Sequence, residues 1–495
     1  MKKSIKELAD LLPKVTVTGD IDRWIEGIEH DSRKIGKNIL FVCIPGTKVD
    51  GHDFIAQAVK NGAVAVLVEK DIAEIDGVTI IKVEDVRAAI QQIVPYFYDY
   101  PAKKMRMIGI TGTNGKTTIS YLIRAILRKA GFKVGVIGTI QISIEDEVLP
   151  IHNTTPDIID LQAILANMQA QGMDYVVMEV SSHALALNRV AGCEFDTAVF
   201  TNVTQDHLDF HKTFENYIAA KAKLFTSLTA AENCKPNKTA VVNLDDLAAK
   251  EMLAHTRCRC ISYGIQADTD IKAENINVLP NGANFSIHSS FANLDLALKI
   301  TGIFNVYNVM GAVGAAFAEG IDADTVKRAL ETFTSVPGRF ELVDEGQAFS
   351  VIVDYAHTPD GLENILKTAR QIAKNRIITV FGCGGDRDRT KRPIMGRIAA
   401  NLSDVIIATS DNPRTEDPEF ILSQVEAGIL EVIGNKEHKK ITDRKLAIEQ
   451  AILMAKAGDI VIIAGKGHED YQILKDKTIH FDDKEVAREV LRRLG

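Results

Sequence analysis

Met107-Ile-Gly-Ile-Thr-Gly-Thr-Asn-Gly-Lys-Thr-Thr118 runs from an apolar strand through a Gly-rich turn into a helix expected over Thr117–Lys129. Backbone N–H groups of such a turn and of the helix N-terminus can cradle phosphates, Lys116 can reach the β- and γ-phosphates, and Thr117 can ligate Mg²⁺. The first glycine of the usual pattern, six residues before Lys116, is replaced by Ile110. The strand-turn-helix context carries the phosphate reading in spite of that departure; the alternative is a tight turn that binds nothing.

Short β-branched runs recur on both sides of this stretch: Ala63–Val68, Val134–Ile140, Tyr175–Val180, Thr197–Thr201, Ala240–Asn243, Val351–Asp354, Ile377–Phe381, Val405–Ala408 and Ile460–Ala464. Strands apolar on both faces and alternating with helices predict parallel sheets covered by helices, hence an α/β fold. Between about Asp268 and Ile300 the pattern changes to short antiparallel strands. Two polar, turn-rich stretches, Tyr98–Lys104 and Thr334–Gly338, read as domain linkers.

At 495 residues the chain exceeds what one hydrophobic core can organise, so about three domains are expected. Hydrophobic residues make up 46% and charged residues 25%, which excludes wholesale disorder. Lys plus Arg is 58 against 66 for Asp plus Glu, a net charge of −8, which disfavours nonspecific binding to nucleic acid or anionic membranes. Anionic ligands therefore need local basic pockets. The six cysteines are scattered, with neither a disulfide framework nor zinc-ligand spacing. No stretch approaches the roughly 18 apolar residues of a membrane span, and Glu7 and Asp10 interrupt any signal-peptide core. A cytoplasmic protein without membrane insertion is expected.

Glu179 ends the strand Tyr175–Val180, the place where open parallel sheets put ligand-binding groups, and can hold Mg²⁺ directly or through water. Ser181-Ser-His183 and Asp206-His-Leu-Asp-Phe-His211 lie nearby in the chain. His207 and His211 are four apart, but no HExxH motif or cysteine set completes a zinc site, so a phosphate-centred Mg²⁺ site fits better.

With Thr111-Gly-Thr-Asn-Gly-Lys-Thr-Thr118, Glu179-Val-Ser-Ser-His183, Asn202-Val-Thr-Gln-Asp-His-Leu-Asp209 and Asp354-Tyr-Ala-His-Thr-Pro-Asp360 in this order, the chain resembles the Mur ligases, which form peptide bonds at the expense of ATP in peptidoglycan assembly. His30-Asp-Ser-Arg33, Asn153-Thr-Thr-Pro-Asp157, Gly382–Asp388, Asp411-Asn-Pro-Arg414 and Gly465-Lys-Gly-His-Glu469 are similar to the branch that adds the third residue of the stem peptide.

The resemblance implies three domains: residues 1–100 binding the UDP-muramyl substrate, 101–335 forming a central P-loop-type parallel or mixed-sheet ATPase domain, and 336–495 forming a Rossmann-like domain for the amino acid. It implies that Gly112, Thr113, Asn114, Gly115, Lys116, Thr117 and Thr118, with Asn305 and His357, bind ATP. Ser32, Thr47, Lys48 and Val49 would hold the uridine nucleotide, and Asn153, Thr154, Thr155, Ser181 and Arg189 the muramyl dipeptide. Leu187 is apolar where some relatives place a polar substrate contact. Lys221, by itself an ordinary solvated lysine on an amphipathic helix, aligns with a lysine that the family carries as an N-carbamate. As such it would join Thr117, Glu179 and His207 around Mg²⁺, and Lys116, Lys221, Glu179 and His207 would form the catalytic set.

The implied chemistry joins an amine to a carboxylate through an acyl phosphate, with UDP-MurNAc-L-Ala-D-Glu and ATP as co-substrates. Meso-diaminopimelate, rather than L-lysine, is the expected amino acid. Its second amino-acid head carries a carboxylate that Arg414 and Arg387 can pair, while Glu469 and the Gly465 carbonyl accept from its ammonium and Asp411, Asn412 and Pro413 complete the pocket. A folylpolyglutamate synthase would share the ATP core but lacks the N-terminal module. Another Mur ligase would lack Asp411–Arg414, and a non-catalytic nucleotide sensor has no need of Lys116, Thr117, Glu179 and Lys221 together. A monomer is expected.

Overall fold

Three sheets, each flanked by helices, divide the chain in order, and the carboxyl edges of the second and third carry the site. The computed structural model describes residues 1–46, 49–149, 153–279 and 281–494. The first sheet has five strands in the order Val15–Thr18, Thr79–Val83, Ala63–Val68, Ile39–Val42 and Gly27–Glu29; only Val15–Thr18 runs antiparallel to its neighbour.

The second sheet has eleven strands. Arg106–Thr111 lies at its centre, parallel to Tyr175–Glu179 on one side and to Thr197–Phe200 on the other. All three strands therefore release their next loops at one edge. Alternation along the central strand sorts the layers: Ile108 and Ile110 pack under helices Lys116–Lys129 and Ile303–Ala318, while Met107 faces helices Ile158–Ala170 and Phe214–Leu228. Gly109 has no room for a side chain, since a Cβ there would come within 2.8 Å of the Phe195 ring. Ile271–Leu279, Gly282–Ser289 and Leu294–Leu298 form the antiparallel meander expected between Asp268 and Ile300.

The third sheet has six strands, ordered Glu341–Val343, Ser350–Asp354, Ile460–Ala464, Ile377–Phe381, Val405–Ala408 and Glu437–Lys440, all parallel except the first. Four of its loops, those carrying His357, Glu469, Arg387 and Arg414, leave the same edge.

Two expectations about elements change. The run Val134–Ile140 is a strand only to Ile137. Gly138 N–H then bonds the Gln141 carbonyl, and the chain reverses into Ile142–Ile144, an antiparallel partner. The linker Tyr98–Lys104 is partly structured, with Tyr98 capping helix Val86–Phe97 and Pro101–Lys104 forming a 3₁₀ turn. No helix among the described residues is long and apolar enough to cross a membrane, and all six cysteines are free.

Candidate active site

The loop after the central strand is shaped by two glycines. Gly112 has φ 149°, and a Cβ there would lie 1.8 Å from Thr201 Oγ1; Gly115 caps the helix at φ 88°, where a Cβ would lie 2.4 Å from Asn308 Oδ1. Larger residues would push this backbone off its neighbours. The helix starts one residue earlier than expected, at Lys116. Lys116 Nζ donates to the carbonyls of Gly112 (2.8 Å) and Thr113 (2.7 Å), and among the described residues no carboxylate pairs with it.

Parallel register sets Glu179 beside Ile110, at the mouth of this loop. Its buried carboxylate accepts from Thr117 Oγ1 (3.1 Å), Thr139 Oγ1 (3.0 Å) and the Thr139 N–H (2.9 Å). Thr117 and Glu179 thus offer hard oxygen donors side by side. That suits Mg²⁺, which keeps several waters and takes one or two protein oxygens together with phosphate oxygens. Among the described residues no group of three or more His, Cys, Asp or Glu side chains is disposed to hold a metal by itself. His211 Nε2 is engaged by Ser182 Oγ at 2.9 Å.

His207 enters its short helix at φ 54° and stays half exposed, its Nε2 3.3 Å from Asp206 Oδ2. Burial, then the cations Lys116 and Lys221, lower its basicity against the opposing pull of Asp206, which favours the neutral imidazole that metal ligation requires. The His183 ring, 4.8 Å away, is pushed down to about 4 by burial and by His207 and His211.

Lys221 is not the solvated lysine that its helix pattern suggests: it is 1% exposed. Its Nζ lies 4.3 Å from the Tyr217 ring centroid, and among the described residues it makes no hydrogen bond or ion pair. Burial and the nearby Lys116 hold its amine well below the usual lysine range. Tyr217 gathers the group, since its hydroxyl is 3.0 Å from Thr113 Oγ1 and its ring 6.2 Å from that of His207.

Asn305 does not face the loop. Its Nδ2 donates to the Thr301 carbonyl and its Oδ1 accepts from Asn308 Nδ2, and it is Asn308, one helical turn on, that abuts Gly115. Thr118 is buried in the helix, and His357 is exposed, its Nδ1 2.8 Å from the Tyr355 carbonyl.

On the substrate side, Thr155 Oγ1 donates to the Glu179 carbonyl (2.9 Å) and accepts from the Ser181 N–H (3.0 Å), and Ser181 Oγ caps Ala184 N–H. Thr154 Oγ1 is 3.1 Å from Thr139 Oγ1, and Asn153 is exposed. Arg189, expected to hold the dipeptide, has its Nε 2.8 Å from Asp157 Oδ1 and Nη1 on the Thr155 carbonyl. Its charge is already met by a carboxylate two residues beyond Thr155. The cleft beside it, between the first two domains, is lined by His30, Arg87, Gln91, Asp157, Asn188 and Arg189. Ser32 is buried with Oγ 3.5 Å from Gln57 Oε1, and Val49 is exposed; Thr47 and Lys48 lie outside the described residues.

At the carboxyl edge of the third sheet, Arg414 sits at φ 52° with Nη1 on the Gly385 carbonyl (2.9 Å), while Arg387 is exposed with Nη1 on the Asp386 carbonyl (3.0 Å). Both flank Gly384, where a Cβ would be 2.8 Å from Arg414 Nη1 and 3.9 Å from Arg387 Cγ. Arg414 thus caps a carbonyl in this state and remains beside Arg387. Asp411 is buried, its Oδ1 bonded to the Asn412 N–H and its Oδ2 against Gly465, whose φ is 121°; Pro413 follows in the same turn, accepting from Glu416 N–H. Asn412 Nδ2 donates to Glu469 Oε2 (2.9 Å).

Lys466, Arg339 and Asp360 were not singled out by sequence. Lys466 is wholly buried, with Nζ 3.0 Å from Glu469 Oε2 and 3.3 Å from Asn412 Oδ1. Arg339 Nη2 reaches Thr117 Oγ1 at 3.5 Å, and its guanidinium lies 4.5 Å from the Tyr355 ring, itself 5.0 Å from His468. A line of contacts therefore runs from Thr117 to the Glu469 loop. The Asp360 carboxylate bonds to Asn114 in the phosphate loop. The only sequence signal for the first and last was their place inside quoted motifs.

Three family models match the chain: "Mur ligase family, catalytic domain" over residues 24–98, "Mur ligase middle domain" over 110–316 and "Mur ligase, glutamate ligase domain" over 338–467. A UDP-N-acetylmuramoyl-L-alanyl-D-glutamate–2,6-diaminopimelate ligase of Clostridium botulinum is 49% identical over 475 residues, covering 95% of this chain and 96% of the relative. A protein of the same name from Bacillus cereus is 48% identical and covers 94% of each chain. A solved structure of a ligase of that name superposes with TM-score 0.70 at 33% identity, over 100% of this chain and 99% of its own.

Proposed function

This chain belongs to the Mur ligase family, and on that premise we propose that it joins meso-2,6-diaminopimelate to the D-glutamate of UDP-N-acetylmuramoyl-L-Ala-D-Glu, with ATP, in peptidoglycan precursor synthesis. The observation that carries the reading is the line Thr117, Arg339, Tyr355, His468, Glu469, which joins the phosphate loop of one domain to the amino-acid pocket of another. The names of relatives nearly half identical over nearly the whole chain supply the substrate class.

A carboxylate resists attack by an amine because oxide is a poor leaving group. Transfer of the γ-phosphoryl group of ATP to the D-glutamate carboxylate gives an acyl phosphate and ADP. The diaminopimelate amine adds to the acyl carbon, the tetrahedral intermediate expels phosphate, and the amine loses a proton as the amide forms. Lys116, released from its two carbonyls, stabilises charge on the β- and γ-phosphates, with Gly112 to Thr118 as the cradle. Asn308 and Asn305 back the loop, and His357 lies at the nucleotide's other side. Mg²⁺, when bound, neutralises phosphate charge and polarises the transferred group. Thr117, Glu179, His207 and Lys221 as its carbamate would hold it.

Ser32, Thr47, Lys48 and Val49 take the uridine nucleotide, and Thr154, Thr155, Ser181, Asn153 and Arg189 the dipeptide. Arg414 and Arg387 pair the distal carboxylate of diaminopimelate, and Glu469, Gly465, Asp411, Asn412 and Pro413 frame its ammonium. We draw the domains at 1–100, 101–335 and 336–495. We take it to act as a monomer, in the cytoplasm where ATP is found.

Incubation of the protein with ATP, Mg²⁺, UDP-MurNAc-L-Ala-D-Glu and a panel of amino acids, read by product mass, tests this reading. One product, bearing diaminopimelate, is expected. Phosphate release without any ligated product would overturn it.

A further inference from the structure

Resting on the ligase reading, we propose that Asp360 is a positioning residue that ties the amino-acid domain to the phosphate loop and so aligns the amine with the acyl phosphate. Asp360 is the second residue of helix Pro359–Ile372. Its Oδ2 accepts from Asn114 Nδ2 at 2.7 Å, from Thr204 Oγ1 at 2.9 Å and from Asn364 Nδ2 at 3.2 Å. Two of these three donors belong to the middle domain, and they come from the loops that follow its central strand and its neighbour Thr197–Phe200.

The grip is continuous with the reacting groups. Thr204 N–H donates to Thr113 Oγ1 (3.0 Å), and the Thr113 carbonyl holds Lys116 Nζ (2.7 Å). Asn114 is fixed along its backbone as well, its N–H on Asn202 Oδ1 and its carbonyl accepting from Thr201 Oγ1 and Asn202 Nδ2. Among the described residues, the other side-chain hydrogen bond from beyond residue 336 to this loop is that of Arg339 to Thr117, at 3.5 Å.

A carboxylate beside a polyphosphate cradle repels the ligand, so Asp360 is ill suited to touch nucleotide and well suited to hold two neutral donors across a domain boundary. At the first turn of a helix the anion is also favoured by the helix dipole. His357 and Arg339 apart, the groups assigned to phosphoryl transfer lie in the middle domain, whereas attack by the amine needs the whole amino-acid pocket of the third domain in place. Losing Asp360 therefore falls on the second step.

In full-length Asp360→Ala we expect ligation kcat to fall about 10- to 100-fold, as loss of charge-assisted hydrogen bonds would give. KM for ATP should stay within about threefold, and positional isotope exchange in ATP with UDP-MurNAc-L-Ala-D-Glu, without amino acid, should persist. Asp360→Asn, which keeps an acceptor oxygen, should recover part of kcat. Ligation by Asp360→Ala at the wild-type rate would overturn the proposal, and so would loss of isotope exchange in proportion to ligation. Should Asp360→Ala fail to fold, Thr204→Val tests the same link, with a several-fold drop in kcat expected and unchanged kcat contradicting it. Failure of the wild type to form product would instead remove the ligase reading itself.

Discussion

Lys221 in the middle domain and Lys466 in the third are both buried almost completely, at 1% and 0% exposure, yet their surroundings are opposite. Lys466 faces Glu469 at 3.0 Å and Asn412 at 3.3 Å, with the Tyr471 ring 5.3 Å away. Lys221 faces a tyrosine ring and has another lysine near it. A buried ammonium with no anion in direct contact is unfavourable, and burial with Lys116 outweighs the opposing pull of Asp206 to shift Lys221 toward its neutral form. A neutral amine is a nucleophile toward CO₂, forming an N–C bond and releasing a proton to give a carbamate. Lys221, without a direct partner among the described residues, is thereby suited to become an anionic oxygen ligand, while Lys466 is held in place by Glu469 and Asn412. Partner, rather than burial, sets what each lysine can do.

Lys116 is the third member of this comparison, held among the described residues by two carbonyls. Its replacement should have the largest effect: Lys116→Ala is expected to lower kcat by about 1,000-fold or more, since it removes the charge at the transferred phosphoryl group, with unchanged melting. Near-normal turnover would refute its place at the phosphates. Lys221→Ala should fall about 100-fold and recover in part with added formate or acetate, a small anion standing in for the carbamate. Lys466→Ala should not respond to those anions. Rescue of both, or of neither, would break the contrast between the two lysines.

A milder change sharpens the other half. Lys466→Met leaves Glu469 without its cation and Asn412 without one donor, so KM for diaminopimelate should rise about 10-fold while KM for ATP holds. A shift in both constants would mean that Lys466 supports the whole domain.

The smallest effect concerns another paired cation of the same pocket. Buried Arg392 binds Glu416 at 2.9 Å, and that guanidinium, helped by the Asp386 N–H, holds the Glu416 carboxyl down to about 2, against an ordinary 4.5. A depressed carboxylate contributes stability above its unfolded pKa and loses it as pH falls through the folded one. Stability should therefore decline between pH 4.5 and about 2, and Glu416→Gln should show a shallower decline over that window in denaturant titrations. Parallel curves would remove Glu416 from the acid response.

The phosphate loop was legible because its strand, turn and helix are contiguous in twelve residues and each residue type answers a local need. Glu179 is legible as the end of a parallel strand, while the register that sets it next to Ile110 is a tertiary fact. Asn308 is not legible beside Asn305 because the two lie on one helix face, and only tertiary packing sets Asn308 against Gly115. Asp360 was illegible as a domain tie because its partners are 246 and 156 residues away in sequence. The helix pattern makes Lys221 a solvated lysine and nothing local marks Lys466; only tertiary packing buries both and sets an anion beside Lys466. The turn at Gly138 went unread because the apolar run continues through it.

The central claim, that this ligase selects diaminopimelate, meets its most direct test in kcat/KM for meso-diaminopimelate and for L-lysine, measured with ATP and UDP-MurNAc-L-Ala-D-Glu. If Arg414 and Arg387 take the distal carboxylate as proposed, lysine leaves them without one, a polar mismatch that supports discrimination of about 10⁴-fold. A ratio of that order in favour of diaminopimelate is expected; comparable values, or a preference for lysine, would contradict the account.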